Sequence, residues 1–166
     1  MKLTKRSFSK FYDKFAPKVY RFILFKVGKP EVAQDITSDT FLKAWQYCQR
    51  VEITYPQAVF YQMARQQIAD FYRRQKVRLV SLDQEPEIVD SGLSLDEQLI
   101  QGDEQRRTLV ALATLPNEQQ EILTWRYIDG YSYQQIGKII SKPSGTVRVI
   151  SHRALKKLKT ELGERA

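Results

Sequence analysis

Apolar residues recur at three- and four-residue steps through both ends of the chain, and that repeat stops between Leu79 and Leu93. A period near 3.6 lines one face of an α-helix, whereas a strand needs alternation by two, and no segment here alternates in that way. The pattern therefore predicts an all-α protein of two small helical domains, 1–78 and 95–166, joined by a flexible linker over 79–94. In the first block Phe8, Phe11, Phe15, Val19, Phe22 and Ile23 share one helix face. Gly28, Lys29 and Pro30 break that helix, with Pro30 placed for the first turn of the next. There Ala33, Ile36, Thr40, Ala44 and Cys48 form a second stripe, with Phe41 and Trp45 beside it. After a break at 52–56, the pairs Val59/Phe60, Met63/Ala64, Gln67/Ile68 and Phe71/Tyr72 mark a third helix, ending near Arg78.

Charge divides the chain at the same places. Residues 1–78 carry 16 basic and 6 acidic side chains, residues 79–105 carry none and 8, and residues 106–166 carry 11 and 5. Two basic blocks around an acidic one fit two polyanion-binding modules joined by a tether that avoids DNA, although charge alone fits a solvated surface equally well. Within the tether Pro86, Asp90, Ser91 and Gly92 are linker chemistry. Ser94-Leu95-Asp96-Glu97 has the spacing of a capping box, predicting a helix from there to about Leu115 that Gly102 weakens.

The last fifty residues are punctuated closely. Pro116 ends one helix, and Asn117 to Gln120 opens another with Ile122, Leu123 and Tyr127 as expected core. Gly130 fits a cap that needs positive φ, and Ser132 a helix start leading to Ile136, Ile139 and Ile140. Ser141-Lys142-Pro143 turns the chain, and Ser144 is placed to cap a final helix to about Leu162. Two short helices, a tight turn and a longer basic helix make a helix-turn-helix. At about 100° per residue, Val147, Ile150, Ala154 and Leu158 fall on one face of the last helix, with Ser151 and Leu155 at its edge. Gly145, Val149, His152 and Lys156 lie opposite, flanked by Arg148 and Arg153. An apolar back with a small, polar and basic front suits a helix entering the major groove, where cations donate to base edges or phosphates. The alternative is an ordinary solvated face.

Several function classes find no support. No run approaches the ~20 apolar residues of a membrane span, so no membrane insertion is expected. The basic start lacks the apolar core of a signal peptide. One cysteine, Cys48, and one histidine, His152, make neither a disulfide nor a zinc site, and a reducing cytoplasm is the expected compartment. Nothing converges on Asp35 and Asp39 to make them an acid–base pair, so no catalytic residue, metal or cofactor is expected.

Two blocks carry a resemblance. Leu115-Pro116, the run from Tyr127 to Ile136 (YIDGYSYQQI), Ser144-Gly145-Thr146-Val147-Arg148 and Arg153-Ala154-Leu155-Lys156-Lys157-Leu158 resemble the C-terminal domain of extracytoplasmic-function (ECF) sigma factors. Val32 to Trp45 (VAQDITSDTFLKAW) is similar to the family's DAEDLVQETFLRAW helix, and Phe60 to Arg74 (FYQMARQQIADFYRR) to its WLYRIARNLALDYLRR helix. The resemblance spans about Phe8–Arg78 and Thr108–Leu162, in order, around the acidic stretch. It departs at Val59, where the family has tryptophan, at Gln66, where it has asparagine, and at Arg148-Val149-Ile150, where Lys-Ser-Arg is usual. A common DNA-facing arginine is thus replaced by Ile150, and promoter sequence does not carry over from relatives.

The resemblance implies a sigma factor that binds core RNA polymerase and initiates transcription at promoters with minus-35 and minus-10 elements. Polymerase binding would fall to Asp35, Asp39, Lys43 and Trp45, on the helix that grips the clamp of the largest subunit. Residue chemistry alone reads the two aspartates as solubility and helix-dipole compensation. The minus-10 set is Tyr55, in a loop that would receive a flipped base, with Tyr61, Arg65, Gln66, Arg73 and Arg74. Aromatics there can stack on single-stranded bases while cations follow the phosphates, though Phe60, Phe71 and Tyr72 suit a core equally well. The minus-35 set, on promoter double-stranded DNA, is Ser144, Thr146, Arg148, Val149, His152, Arg153 and Lys156. An anti-sigma factor is a further candidate partner. The acidic segment would thread the polymerase cleft or serve only as a tether. The rival function, a stand-alone helix-turn-helix regulator, accounts for the C-terminal block but leaves the N-terminal one unused.

Overall fold

The computed structural model describes residues 2–81 and 101–163. The expected capping box at Ser94–Glu97 lies outside the described residues, as does most of the expected linker. Every regular element among the described residues is helical. The chain divides into two compact units, Met1–Ser91 and Gly92–Ala166.

In the first unit, α1 (Lys5–Val27), α2 (Pro30–Arg50) and α3 (Pro56–Ser81) pack on one another. Thr4 and Ser7 close a reciprocal capping box at the start of α1, with bonds of 3.2 and 2.9 Å between each hydroxyl and the other's backbone N–H. Gly28 ends α1 in the left-handed region at φ 72°, and Pro30 occupies the first turn of α2, as the break in the sequence predicts. The expected stripes meet inside. Phe60 of α3 lies 4.9 Å from Phe41, 5.8 Å from Phe15 and 5.9 Å from Phe8, ring centroid to centroid. Leu3, Cys48 and Ile53 form a smaller cluster covered by Phe8, Phe11 and Val59. Helix α3 runs three residues beyond the expected end at Arg78. Periodicity fades there because Val77 and Val80 face solvent, yet extending a formed helix needs only one further backbone bond per residue. The Tyr72 hydroxyl donates to the Lys26 carbonyl, fastening α3 to the end of α1, and burial pushes its phenol above the ordinary tyrosine value.

The second unit contains α4 (Asp103–Ala113), α5 (Asn117–Leu123) continuing into a π-helical turn (Thr124–Ile128), α6 (Tyr133–Ile140) and α7 (Ser144–Glu161). Helix α4 begins after Gly102 instead of running through it, because φ 95° at that residue is incompatible with a right-handed helix. Gln120 closes the corner between α4 and α5, donating to the carbonyls of Leu115 (2.6 Å) and Ala113 (3.2 Å). Leu112, Leu115, Leu123 and Ala154 form a core with Leu155 and Leu158 packed against it. Ile122, Trp125, Ile136, Ile139 and Val147 are also enclosed. Tyr127, expected in this core, is 55% exposed, and Trp125 is buried instead. The expectation assumed a continuous 3.6-residue period. The Asp129 N–H bonds to the Thr124 carbonyl five residues back, a wider turn that breaks that phase.

Candidate nucleic-acid interface

The turn between α6 and α7 sets the geometry of the exposed basic helix. Ser132 caps α6 reciprocally with Gln135, at 3.1 and 2.9 Å. At the other end Ser141 takes left-handed angles (φ 58°, ψ 45°), and the Lys142 N–H returns to the Gly137 carbonyl at 2.9 Å. Gly137 is required by proximity: a Cβ there would lie 2.4 Å from the Lys142 carbonyl oxygen. Lys142 also pairs with Glu118 at 2.6 Å, tying the turn to the start of α5. Pro143 occupies the N-cap position of α7 and Ser144 is its first helical residue, so the expected Ser144 cap shifts by one position.

On α7 the side chains of Val147, Ser151 and Ala154 are buried, while Ile150, Leu155 and Leu158 are partly so. The expected inward face is thus rotated slightly: Ser151 takes the centre and Ile150 the edge. A serine needs little room where α5 and α6 both pack on this helix. The opposite face is open, and Ser144, Thr146, Arg148, Val149, His152, Arg153 and Lys156 are all exposed. Two residues missing from the sequence reading join this surface. Tyr133, at the start of α6, has its ring centroid 6.5 Å from that of His152 and 5.5 Å from the Arg148 guanidinium carbon. Arg126 stacks closer on the same ring, at 4.4 Å, and donates to the Tyr131 carbonyl at 3.1 Å. Periodicity offered no signal for them as surface residues, because Arg126 stands one turn from the buried Ile122 and Tyr133 one turn from the buried Ile136 and Gly137, at the edge of the apolar stripe. The aromatic at the head of α6, one turn of chain from a basic helix, was the available clue.

In the first unit, Arg65, Gln66, Arg73 and Arg74 line the exposed side of α3, and Tyr55 stands exposed in the loop before it. Arg73 pairs with Asp70 one turn earlier at 3.1 Å. Tyr61 does not join them. Its side chain is 0% exposed, with its ring 5.4 Å from Phe22 in an edge-on contact, so it belongs to the core and leaves the DNA-facing set. The period alone does not separate them, because Tyr61 stands one helical turn before Arg65 as well as beside Ala64 and Ile68, at the border of the buried face, and its contact with Phe22 of α1 decides.

On α2, Asp35 and Asp39 are exposed, and Leu42 (56% exposed) continues their strip at the next helical step. Leu42 lies off the buried stripe of α2, and spacing alone marks it as exposed without marking it as functional. Lys43 is exposed, but its ammonium donates to Gln67 of α3 at 2.8 Å. Trp45 is half-buried, edge-on to Phe8 with centroids 4.9 Å apart. Lys43 and Trp45 are therefore engaged within the unit, while Asp35, Asp39 and Leu42 form the open strip. Among the described residues no acidic, histidine or cysteine group is arranged to hold a metal ion, and no helix is long and apolar enough to cross a membrane.

Sigma-70 region 2 matches residues 11–78, and Sigma-70 region 4 matches residues 111–160. The ECF RNA polymerase sigma factor BldN of Streptomyces coelicolor is 28% identical over 158 residues, covering 92% of this chain and 59% of BldN. The ECF RNA polymerase sigma factor SigL of Mycobacterium tuberculosis is 29% identical over 164 residues, covering 92% of this chain and 87% of SigL. Among solved structures, the sigma factor RpoE of Bartonella quintana, in complex with the anti-sigma factor NepR, aligns with a TM-score of 0.67 at 23% identity, over 95% of this chain and 98% of that one. CnrH in complex with the cytosolic domain of CnrY gives 0.68 at 18%, over 96% and 90%. These two likenesses are of fold.

Proposed function

This chain belongs to the extracytoplasmic-function family of RNA polymerase sigma factors, and from that premise we propose how its residues divide the work of promoter recognition. It is a polymerase-binding, promoter-recognising subunit. Residues 1–78 bind core polymerase and the minus-10 element, and residues 95–166 bind the minus-35 element. The observation that carries the second assignment is the open face of α7. A buried back formed by Val147, Ser151 and Ala154 leaves Arg148, Val149, His152, Arg153 and Lys156 exposed together behind a turn closed by Gly137. Ser144 and Thr146 lie at the start of that helix, where small polar side chains let the backbone approach phosphates.

In the first unit, Asp35 and Asp39, with Leu42 one step beyond them, form the core-polymerase strip, and Lys43 and Trp45 hold that strip in place through Gln67 and Phe8. Arg65, Gln66, Arg73 and Arg74 follow the single strand opened at the minus-10 element, and Tyr55 offers a ring to an unstacked base. The chain acts without catalysis of its own, in the cytoplasm where polymerase works, and an anti-sigma factor is a candidate restraint. Run-off transcription with purified core polymerase on fragmented genomic DNA tests the whole reading. Start sites sharing two spaced elements are expected with the wild-type chain, and none with Asp35→Lys/Asp39→Lys, which would keep its helical content but fail to associate with core. A chain that binds duplex DNA yet never co-purifies with core polymerase would instead be a stand-alone regulator.

A further inference from the structure

Three successive elements of the second unit converge on one ring. Tyr133 is the first residue of α6, its backbone held by the Ser132–Gln135 box. Against its ring lie Arg126 from the π-helical turn, 4.4 Å from the centroid, and Arg148 from α7, 5.5 Å away, with the His152 ring beside them at 6.5 Å. Arg126 is itself fixed by its bond to the Tyr131 carbonyl. The ring is only half-buried, and these neighbours are cationic or polar, so its contacts are not those of an apolar core residue. A guanidinium is attracted to an aromatic face and stacks on it, which limits the rotamers that a long, otherwise solvated arginine samples. Arg148 and His152 are one helical turn apart on the exposed face of α7, so one ring restrains two neighbouring side chains.

We propose that Tyr133 is a specificity-determining positioning residue, whose ring holds Arg148, with His152 beside it, in the orientation that reads the upstream promoter base pairs. The inference rests on the assignment of α7 as the minus-35 helix and goes beyond it, because Tyr133 lies on a different helix and acts through Arg148. The test uses the full chain assembled with core polymerase and a duplex library randomised across the upstream element. Base preferences are compared for the wild type, Tyr133→Phe, Tyr133→Leu, Arg148→Ala and the double variant Tyr133→Leu/Arg148→Ala. Tyr133→Phe should keep the wild-type preference. Tyr133→Leu should lose about two- to fivefold of the discrimination at the base pair that Arg148→Ala affects, the size of an exposed cation–π contact. The double variant should be no worse there than Arg148→Ala alone. Where Tyr133→Leu melts early, Tyr133→Gln removes the ring face while suiting a helix start. Additive effects, or a uniform loss across all sequences with the preference unchanged, would overturn the positioning role and leave the α7 assignment standing. If Arg148→Ala leaves every base preference intact, the α7 assignment fails and the proposal with it.

Discussion

At the scale of single residues, what a side chain does here depends on which side of its helix it occupies and on what its polar end reaches. Arg148 and Lys156 share the open face of α7 but should differ in kind. Arg148→Ala is expected to cost about 1–3 kcal/mol and relax selectivity at one base pair if the guanidinium is bidentate to a guanine. Lys156→Ala should weaken all sequences alike and lower the slope of log K against log salt by about one, as loss of a phosphate contact does. Binding titrations at several salt concentrations, on single-base promoter variants, separate the two. Tyr72 tests a different link. Its donation to the Lys26 carbonyl makes Tyr72→Phe destabilising by about 1 kcal/mol, read in denaturant melts. The folded phenol lies above its ordinary value of 10.0 because burial penalises the charged form. The tyrosine contribution is therefore complete below about pH 10 and is lost as pH rises through the folded value, since the unfolded chain ionises first. The stability gap between wild type and Tyr72→Phe should narrow above pH 10, and a gap that widens there would contradict this. The exposure of Arg65, Arg73, Arg74, Arg148, Arg153 and Lys156 was legible in the sequence, because charge on the polar side of a clear stripe rarely turns inward, whereas Arg126, held by the Tyr133 ring and the Tyr131 carbonyl, was not. Tyr61 was not, since an aromatic one turn from Arg65 and beside Ala64 satisfies a stacking pattern and a core equally well until its contact with Phe22 is seen.

At the scale of elements, helix starts and stops follow local chemistry closely. Gly28, Pro30, Gly130 and Ser132 do what their residue types predict, because a cap or a positive φ needs only neighbouring backbone. The misplacements have local causes as well. Gly102 starts α4 through its positive φ, and the π-helical turn at Thr124–Ile128 exchanges the expected Tyr127 for Trp125. The turn between α6 and α7 leaves no room for a side chain at Gly137. Gly137→Ala places a methyl carbon against the Lys142 carbonyl, and backbone cannot move aside as a flexible side chain does. A loss of about 1–3 kcal/mol is expected, the range for overpacking, measured by thermal or urea melts. An unchanged melt would mean that the turn relaxes freely and does not set the pose of α7. Ile150→Ala, at the edge of the same helix, should cost roughly 1–2 kcal/mol, less than full enclosure would imply.

For the whole molecule, each unit has its own core: the aromatic cluster around Phe60 in one, and Trp125, Ile136 and Val147 with the Leu112–Ala154 cluster in the other. Fragments 1–81 and 101–166 should accordingly each give a helical circular dichroism spectrum and a cooperative melt of their own. A fragment that is unstructured alone would show that its unit depends on the other. The sequence by itself determined the helical class, the two-block organisation, most helix ends, the basic outer face of α7 and the resemblance that named the family. Those properties arise from short-range periodicity, caps and charge, which neighbouring residues dictate. Only the tertiary structure decided that Tyr61 packs on Phe22, that Lys43 and Trp45 turn to Gln67 and Phe8, that Ser151 displaces Ile150 from the centre of its face, and that Arg126, Tyr133, Arg148 and His152 meet around one ring. Each of these joins residues on different helices, or fixes the rotation of a helix against its neighbours, and the residue spacing within one segment carries no information about the angle at which another segment meets it.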